Sequence, residues 1–196
     1  MKSLLIHCFV YLMAFLAAIC GPEEDPPISI NTSVPNAISV DNQNREYSLN
    51  DTLWINVSIP VKVVDSNNEQ IDLFEITNNQ NIVADFFFFN QQLPEGESSL
   101  IIEEDDIVSS DEVIPYDSGR IVSLITNLSQ EQYSGRVGII LKQPGSFYFE
   151  SGVNEQVTFH IDGPNTGDLY YSIFIISNIE GEDELGRYNF VVNEAL

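Results

Sequence analysis

Carboxylates are the most abundant reactive side chains in this sequence, which has 30 acidic residues among its 196. The densest group surrounds Ser109 and Ser110 and comprises Glu103, Glu104, Asp105, Asp106, Asp111 and Glu112. Two carboxylates about 5 to 10 Å apart can hydrolyse a glycosidic bond, and several carboxylate oxygens can bind calcium. The group lacks the glycine and the alternating spacing of an EF-hand loop, so we predict a solvated acidic loop. A carboxylate-based surface hydrolase is kept as an alternative function.

A second oxygen-rich segment, residues 162–168, joins two predicted strands. Asp162, Asn165 and Asp168 in this segment could share one calcium ion. Gly163 and Pro164 also predict a turn there, which would explain the segment without a metal. Calcium is therefore the one cofactor that the sequence leaves open.

Histidine and cysteine, the usual residues of nucleophilic and metal sites, are scarce. The sequence has two of each, and His7 and Cys8 lie in an apolar N-terminal stretch. His160 alternates with Phe159 and Ile161, so it should lie on the polar face of a strand as a solvated or structural residue. Glycine-rich phosphate loops, G-x-S-x-G elbows and zinc-protease motifs are absent from the sequence. We therefore predict that the protein is not an enzyme and has no catalytic residues.

Aromatic side chains are the remaining candidates for ligand binding. Trp54 lies on the more polar side of a predicted strand, and Tyr148, Tyr170 and Tyr171 lie in other predicted strands. A glycan would need such rings exposed together on one platform, whereas a tryptophan on a strand is commonly covered by a neighbouring loop. Both a glycan and a protein ligand are compatible with these residues.

The elements that must hold these side chains are short strands. Runs rich in Val, Ile, Phe and Tyr alternate with clusters of Asn, Asp, Gly, Ser and Pro at the spacing of sandwiches and barrels. Residues 52–59 alternate strictly, and the run 86–89 of four phenylalanines predicts a central strand covered on both faces. We predict an all-β fold, an antiparallel β-sandwich that is immunoglobulin-like or related, with short accessory helices at 129–133 and 180–185.

The remaining predicted strands follow from the same kind of run. They lie at 98–102, 120–126, 136–141, 147–149, 156–161, 170–177 and 188–192. Pro144 and Gly145 are typical of a tight turn, so the two strands that flank 142–146 are predicted to form a hairpin.

The charge of the chain excludes one class of partner. Seven basic residues against 30 acidic ones give a net charge of -23, and the basic residues are scattered singly. Binding to nucleic acid or to anionic lipid head groups requires clustered Lys and Arg. Nucleic acid is therefore not a partner, and the acidity fits an extracellular surface that must stay soluble.

The N-terminal residues predict export. Lys2 precedes an apolar stretch at 4–19, which is short for a spanning helix and is followed at once by Gly, Pro and acidic residues. We predict a signal peptide at 1–19, a flexible tether at 20–27 and a single domain at 28–196. Cys20 would then be an unpaired cysteine in an oxidising compartment. The alternative is an ordinary secretory leader with Cys20 free or removed.

Three short segments carry a resemblance to a known family. Leu16-Ala17-Ala18-Ile19-Cys20 resembles the lipobox of bacterial lipoproteins, although Ile19 stands where Gly, Ala or Ser is usual. The acidic residues at 23–25 resemble the surface-export signal of Bacteroidetes lipoproteins. Residues 49–54, Leu-Asn-Asp-Thr-Leu-Trp, are similar to a pattern in flavobacterial lipoproteins that carries no known activity. Within it, Asp51-Thr52-Leu53 resembles the O-glycosylation motif of that phylum, with Thr52 as the acceptor.

The resemblance implies a cellular location and does not imply an activity. It implies a lipid anchor through an acylated Cys20 in the outer membrane, with the domain at the cell surface. We expect a non-catalytic binding or accessory protein there. A structural subunit of an outer-membrane complex is a further alternative, which would show itself as an uncharged apolar patch.

Overall fold

A computed structural model describes residues 28–91, 100–117, 119–151, 157–164 and 170–194. The predicted signal peptide, Cys20 and the tether lie outside these ranges, as do Asn165 and Asp168. Within them the chain forms packed β-sheets with one short α-helix, which confirms the predicted all-β sandwich. In the same ranges no helix has the length and apolar character needed to span a membrane.

The described residues contain sixteen strands, numbered β1 to β16 in chain order. Their bounds are Ile28–Ser33, Ile38–Val40, Glu46–Ser48, Thr52–Pro60, Lys62–Val64, Gln70–Asp72, Val83–Asn90, Ile107–Val108, Glu112–Tyr116, Ile121–Ile125, Asn127–Ser129, Gln132–Ile140, Gly145–Ser151, Val157–Pro164, Tyr170–Ser177 and Tyr188–Asn193. The helix α1 spans Leu73–Thr77, and two 3-10 turns lie at Asp41–Gln43 and Glu104–Asp106.

Four sheets are built from these strands. The largest has the order β3-β16-β13-β7-β10-β9, and the second has the order β11-β12-β4-β2 with β8 beside β12. A three-stranded sheet has the order β1-β15-β14, and β5 pairs with β6. Neighbouring strands are antiparallel except for β1 with β15 and β3 with β16, which are parallel. We refer to the first three as the six-stranded, five-stranded and three-stranded sheets.

The core lies between the inner faces of the six-stranded and five-stranded sheets. In β4 the buried residues Leu53, Ile55, Val57 and Ile59 alternate with more exposed ones, as predicted. Opposite them, Phe86 and Phe88 of β7 and Phe149 of β13 are fully buried and pack ring against ring. The two sheets approach so closely that a Cβ atom on Gly135 would lie 3.2 Å from the Leu124 side chain.

The phenylalanine run occupies the centre of its sheet, as predicted. Strand β7 lies between β13 and β10, so both of its edges are paired. Its two faces differ, because Phe86 and Phe88 are buried in the core whereas Phe87 and Phe89 point outward and are half-buried. The prediction that both faces are covered therefore holds fully for the inner face only.

The predicted hairpin at 142–146 is wrong. Strand β12, which ends at Ile140, pairs within the five-stranded sheet, and β13, which begins at Gly145, pairs with β7 and β16 in the six-stranded sheet. The chain crosses between the layers here. A Pro-Gly pair indicates that the chain turns, but it does not determine which sheet the next strand joins.

The two predicted helices are also wrong. Gln130 and Glu131 have φ angles of 51° and 64° and form the tight turn of a hairpin between β11 and β12. Two successive left-handed residues match the twist of antiparallel strands. Residues 180–185 form turns, and the helix lies instead at α1, where the Asp72 carboxylate accepts the Glu75 amide as an N-terminal cap. The described end of the predicted strand 98–102, residues 100–102, has no strand pairing.

Candidate functional site

The four aromatic residues predicted as a ligand platform lie on three different sheets. Trp54 is on the outer face of the five-stranded sheet, and Tyr148 is on the outer face of the six-stranded sheet. Tyr170 and Tyr171 are consecutive in β15 of the three-stranded sheet, so their side chains point to opposite faces. The structure does not bring these four rings together on one surface.

Trp54 is covered by a side chain of the neighbouring strand. The Arg136 guanidinium lies 4.0 Å from the centre of the Trp54 ring and pairs with the Asp41 carboxylate at 2.5 Å. The ring extends over Gly138, where a Cβ atom would approach it to 2.8 Å. Asn56 donates to the other Asp41 oxygen at 2.8 Å. The indole is thus part of a fixed polar network and is only half-exposed.

Tyr148 is more deeply covered. It stacks on Phe89 at a centroid distance of 5.0 Å, and the Arg187 guanidinium lies 4.5 Å above it. Arg187 in turn faces the Glu150 carboxylate at 3.8 Å. With 7% of its surface exposed, Tyr148 supports the outer face of its sheet and offers little ring area to a ligand.

His160 lies on a polar sheet surface, as its alternation predicts. Its Nε2 atom is 2.7 Å from the Ser172 hydroxyl and 2.9 Å from the Asp162 carboxylate, and its ring stacks on Phe174. Serine, histidine and aspartate form hydrolytic triads, but a triad requires serine and aspartate on different ring nitrogens. Here both partners share Nε2, so this cluster lacks the geometry for activating Ser172.

Two carboxylates of the 103–112 region, Asp106 and Asp111, have separate structural partners. Asp106 is buried and accepts a hydrogen bond from the Glu103 amide at 3.1 Å. It also forms an ion pair with Lys142, and the hydrogen bond between these two side chains raises the pKa of Lys142. Asp111 accepts the Arg136 amide at 2.9 Å. Glu103, Asp106 and Lys142 line a groove of about 260 Å³, together with Gln143 and four apolar residues. Both oxygens of Asp106 are engaged, which leaves it poorly placed to act with Glu103 as a hydrolytic pair.

The structure does not test the predicted calcium site or the predicted O-glycosylation. Across the described ranges, no three His, Cys, Asp or Glu side chains are grouped so as to hold a metal ion. Asp162 is engaged by His160, and the other calcium candidates, Asn165 and Asp168, lie outside the described residues. Thr52 is half-buried at the first position of β4. Calcium binding and O-glycosylation at Thr52 stay predictions.

A further candidate surface was not predicted from the sequence. The register of β9, β10, β7, β13, β16 and β3 places one set of side chains on the outer side of the six-stranded sheet. We name the apolar members of this set the apolar face, which consists of Val83, Phe87, Phe89, Ile114, Tyr116, Ile121, Ile125, Tyr148 and Val191. Val83, Ile114, Tyr116 and Val191 are each 39 to 49% exposed.

Three polar groups on the same side of the sheet as the apolar face, at Asp85, Ser123 and Tyr116, bond to one another. The Ser123 hydroxyl donates to Asp85 at 2.5 Å, and the Tyr116 hydroxyl lies within hydrogen-bond reach of both. Burial raises the pKa of Tyr116. Glu46 and Glu112 stand at opposite ends of the same face, opposite Val191 and Ile125 in the register. The face therefore carries apolar side chains around the internally bonded pair Ser123 and Asp85, with a carboxylate at each end.

One sequence signal did point toward this surface. Strand β10 reads Ile-Val-Ser-Leu-Ile, and β7 carries four phenylalanines, so both strands are apolar on both sides. Such strands belong in the middle of a sheet whose two faces both exclude water. The sequence does not reveal that β9 lies beside β10 and adds Ile114 and Tyr116 to the outer side.

Comparison with known proteins finds similarity of shape only. No protein-family profile and no curated protein sequence matches the chain. The reeler domain of human F-spondin has a TM-score of 0.40 at 7% identity, covering 88% of this chain and 100% of that domain. The seventh ScaB type I cohesin from Pseudobacteroides cellulosolvens has a TM-score of 0.34 at 8% identity, covering 87% of this chain and 94% of the cohesin. Likenesses at this level carry no argument about function.

Proposed function

We propose that this chain is a non-catalytic, lipid-anchored surface protein of the outer membrane that binds its ligand through the apolar face. The observation that carries the proposal is the cluster of exposed apolar side chains on the outer side of the six-stranded sheet, including Ile114, Tyr116 and Val191. Soluble proteins rarely expose large contiguous apolar patches, and those that exist usually mark an interaction site. The proposed role is that of a binding or accessory component.

Support for the non-catalytic part comes from the side chains that could react. His160 shares one ring nitrogen between Asp162 and Ser172, and Asp106 is held by Lys142 and the Glu103 amide. A general base must be free to accept a proton from the substrate or the nucleophile. Glu103 and Asp106 line one groove, but the Asp106 carboxylate is held by Lys142 and by the Glu103 amide, so this pair gives no specific reason to prefer a surface hydrolase.

The anchor is proposed from the resemblance at 16–20 and not from the fold. The first described residue, Ile28, already lies in β1, so a tether at 20–27 would lead directly into the three-stranded sheet. Eight extended residues span at most about 28 Å, which would keep the domain close to the membrane surface.

A structural subunit of an outer-membrane complex is the second candidate function, and the apolar face favours it too. In that case the face would be covered permanently instead of binding and releasing a ligand. Permanent interfaces are larger and more apolar than transient ones. The two candidates therefore differ in the lifetime of the contact and not in its location.

The surface is tested by site-specific photo-crosslinking in cells that produce the full chain. The photoreactive residue p-benzoylphenylalanine replaces Ile114 or Val191 on the apolar face, and Ser58 or Thr158 on the outer faces of the other sheets. We expect adducts from Ile114 and Val191 and none from Ser58 and Thr158. Absence of adducts at both apolar positions would reject the apolar face as the binding surface.

The anchor is tested separately by intact-mass measurement on the membrane fraction. We expect the mass of a chain that begins at a diacylated Cys20, and Cys20→Ser should remove the acyl mass and release the protein from the membrane. A chain that begins at another residue without acyl groups would remove the lipid anchor from the proposal.

A further inference from the structure

We propose that the occupant of the apolar face is another protein, one whose contact surface is apolar and bordered by Lys and Arg, and not a glycan or a second copy of this chain. The inference rests on the proposed function and names the class of ligand. It is carried by three properties of the face: its aliphatic content, its acidic borders and its blocked strand edge.

The aliphatic content favours a protein over a glycan. Val83, Ile114, Ile121, Ile125 and Val191 lie among the aromatic rings of the face. Sugars bind to aromatic rings together with hydrogen-bonding groups that are free to pair with hydroxyls, because polar groups left unpaired on binding are costly. A mixed aliphatic and aromatic surface resembles instead the centre of a protein interface, which excludes water and is depleted in charge.

The hydrogen bonds of the face lead to the same conclusion. Ser123, Asp85 and Tyr116 are its central polar groups, and they are engaged with one another. A sugar hydroxyl would have to break these bonds, whereas an apolar protein side chain can cover them intact. The Tyr148 ring stacks on Phe89 and is covered by the Arg187 guanidinium, so it is not open to stacking with a sugar.

The acidic borders disfavour a second copy and favour a basic partner. The register places Glu46 and Glu112 on the two edge strands of this face, whereas Asp85 and Glu150 lie on its central strands and are engaged by Ser123 and Arg187. Two copies meeting face to face would bring the same carboxylates together, in a chain whose net charge is already -23. Charges of opposite sign at the rim speed association and select the partner.

The sheet edge limits how the partner can dock. Pro115 lies in the middle of β9, the edge strand, and proline has no N–H to donate. A strand added along β9 would therefore lose a ladder hydrogen bond at its centre. We infer that the partner contacts the side chains of the face and does not extend the sheet.

The experiment identifies the adducts formed at Ile114 and Val191 in the full chain. Mass spectrometry of the crosslinked peptides should find a different protein, and the region around its crosslinked residue should be apolar with Lys or Arg close by. The same measurement is made in the charge-reversed variants Glu46→Lys and Glu112→Lys, and in the matched controls Glu69→Lys and Glu104→Lys, which reverse exposed carboxylates elsewhere.

We expect Glu46→Lys and Glu112→Lys together to lower the adduct yield at least about fivefold, and the paired controls to change it less than about twofold. Circular dichroism of each variant establishes that the fold is intact. An adduct to a second copy, to a glycan or to a phospholipid would overturn this inference while leaving the apolar face as the binding surface. An identified protein whose yield is unaffected by charge reversal at residues 46 and 112 would also overturn it. Loss of all adducts at residues 114 and 191 would instead reject the proposed function.

Discussion

Single side chains on the outer faces of this sandwich are fixed by charge more than by burial. Arg136 is the clearest case, since its guanidinium covers Trp54 and pairs with Asp41 while its backbone amide is bound by Asp111. Exposed ion pairs contribute little to stability, and a cation over an aromatic ring adds about 0.5 to 1 kcal/mol. The role of Arg136 is therefore to hold a ring in place, which can be measured directly.

Arg136→Gln should expose Trp54 to water. Trp54 is the only tryptophan in the chain, so the intrinsic fluorescence reports this one site. We expect the emission maximum to shift to longer wavelength and the free energy of unfolding to fall by about 1 kcal/mol. Arg120→Gln, which removes an exposed arginine elsewhere, is the control and should leave the emission unchanged. An identical emission maximum in Arg136→Gln would contradict the stacking.

Tyr133→Phe tests a buried hydroxyl and its titration. The Tyr133 hydroxyl donates to the Asn79 carbonyl at 2.7 Å, so its loss should cost about 1 kcal/mol at neutral pH. Burial raises the pKa of Tyr133 from 10.0 to about 12. Between these pH values the unfolded chain has lost a proton that the folded chain keeps, so stability falls as the pH rises.

Between about pH 10 and about pH 12 the unfolding free energy of the variant should therefore fall less steeply with pH than that of the wild type. The two slopes should differ by the contribution of one proton. Urea unfolding at several pH values in this window measures both slopes. Burial also raises the pKa values of Tyr47 and Tyr188, so a decline should persist in the variant. Tyr170→Phe, at an exposed hydroxyl, is the control. Equal slopes in Tyr133→Phe and wild type would show that Tyr133 does not titrate as stated.

At the scale of the element, the contact between α1 and β14 depends on one missing side chain. A Cβ atom on Gly163 would lie 1.8 Å from the Thr77 carbonyl oxygen at the end of α1. The helix is only five residues long, so it depends on its N-terminal cap and on this packing as well as on its few hydrogen bonds. Any side chain at residue 163 must push the helix away from the strand.

Gly163→Ala should thus lower the free energy of unfolding by about 2 kcal/mol or more, as overpacking against backbone does. Thr158→Ala, on the same strand with an exposed side chain, should change it by less than about 0.5 kcal/mol. Chemical unfolding of both variants beside the wild type makes the comparison. Equal stability of the two variants would mean that α1 can move away from β14 without loss of unfolding free energy.

Long elements of this fold were predictable from the sequence, and short ones were not. The predicted strand 170–177 coincides with β15, and 52–59 is within one residue of β4, because eight residues show the alternation several times. Strands of three residues, such as β2, β3 and β5, alternate only once, so they cannot be distinguished from loops. Residues 129–133 are predicted as one helical turn, but the left-handed backbone of Gln130 and Glu131 forms a hairpin turn instead.

The candidate site could not be predicted from the sequence because it depends on the order of the strands in the sheet. The phenylalanines of β7 predict a central strand, but the apolar face also needs Ile114 and Val191, which are 77 positions apart in the chain and join the face only through strand order. Strand order depends on long-range pairing, which a local pattern does not encode. Conversely, Tyr170 and Tyr171 are both candidates for one ligand platform, but two consecutive residues of a strand point to opposite faces.

At the scale of the whole molecule, the dominant property is charge. A net charge of -23 on 196 residues destabilises the folded state through repulsion between carboxylates, and dissolved salt screens that repulsion. We expect the melting temperature to rise by roughly 3 °C or more between about 20 mM and about 500 mM NaCl. A melting temperature that is constant or falls over this range would contradict self-repulsion.

The same titration distinguishes screening from specific calcium binding. At equal ionic strength CaCl2 should match NaCl if carboxylates are only screened, and should exceed it if Asp162 contributes to a calcium site. Asp162→Asn is the matched variant, because it keeps the size of the side chain and removes its charge. An extra rise with calcium that persists in Asp162→Asn would place any calcium site elsewhere.

The two edges of the six-stranded sheet affect whether many copies of the protein can lie close together without forming fibrils. At one edge β9 is interrupted by Pro115, and at the other β3 is only three residues long. Fibrils grow when an exposed strand accepts the backbone of the next molecule, and the copy just added offers a new strand in turn. A sheet that exposes apolar side chains but has no edge suited to growth resists the first step of fibril formation. Replacing Pro115 by a residue with an N–H would remove that protection while leaving the apolar face unchanged.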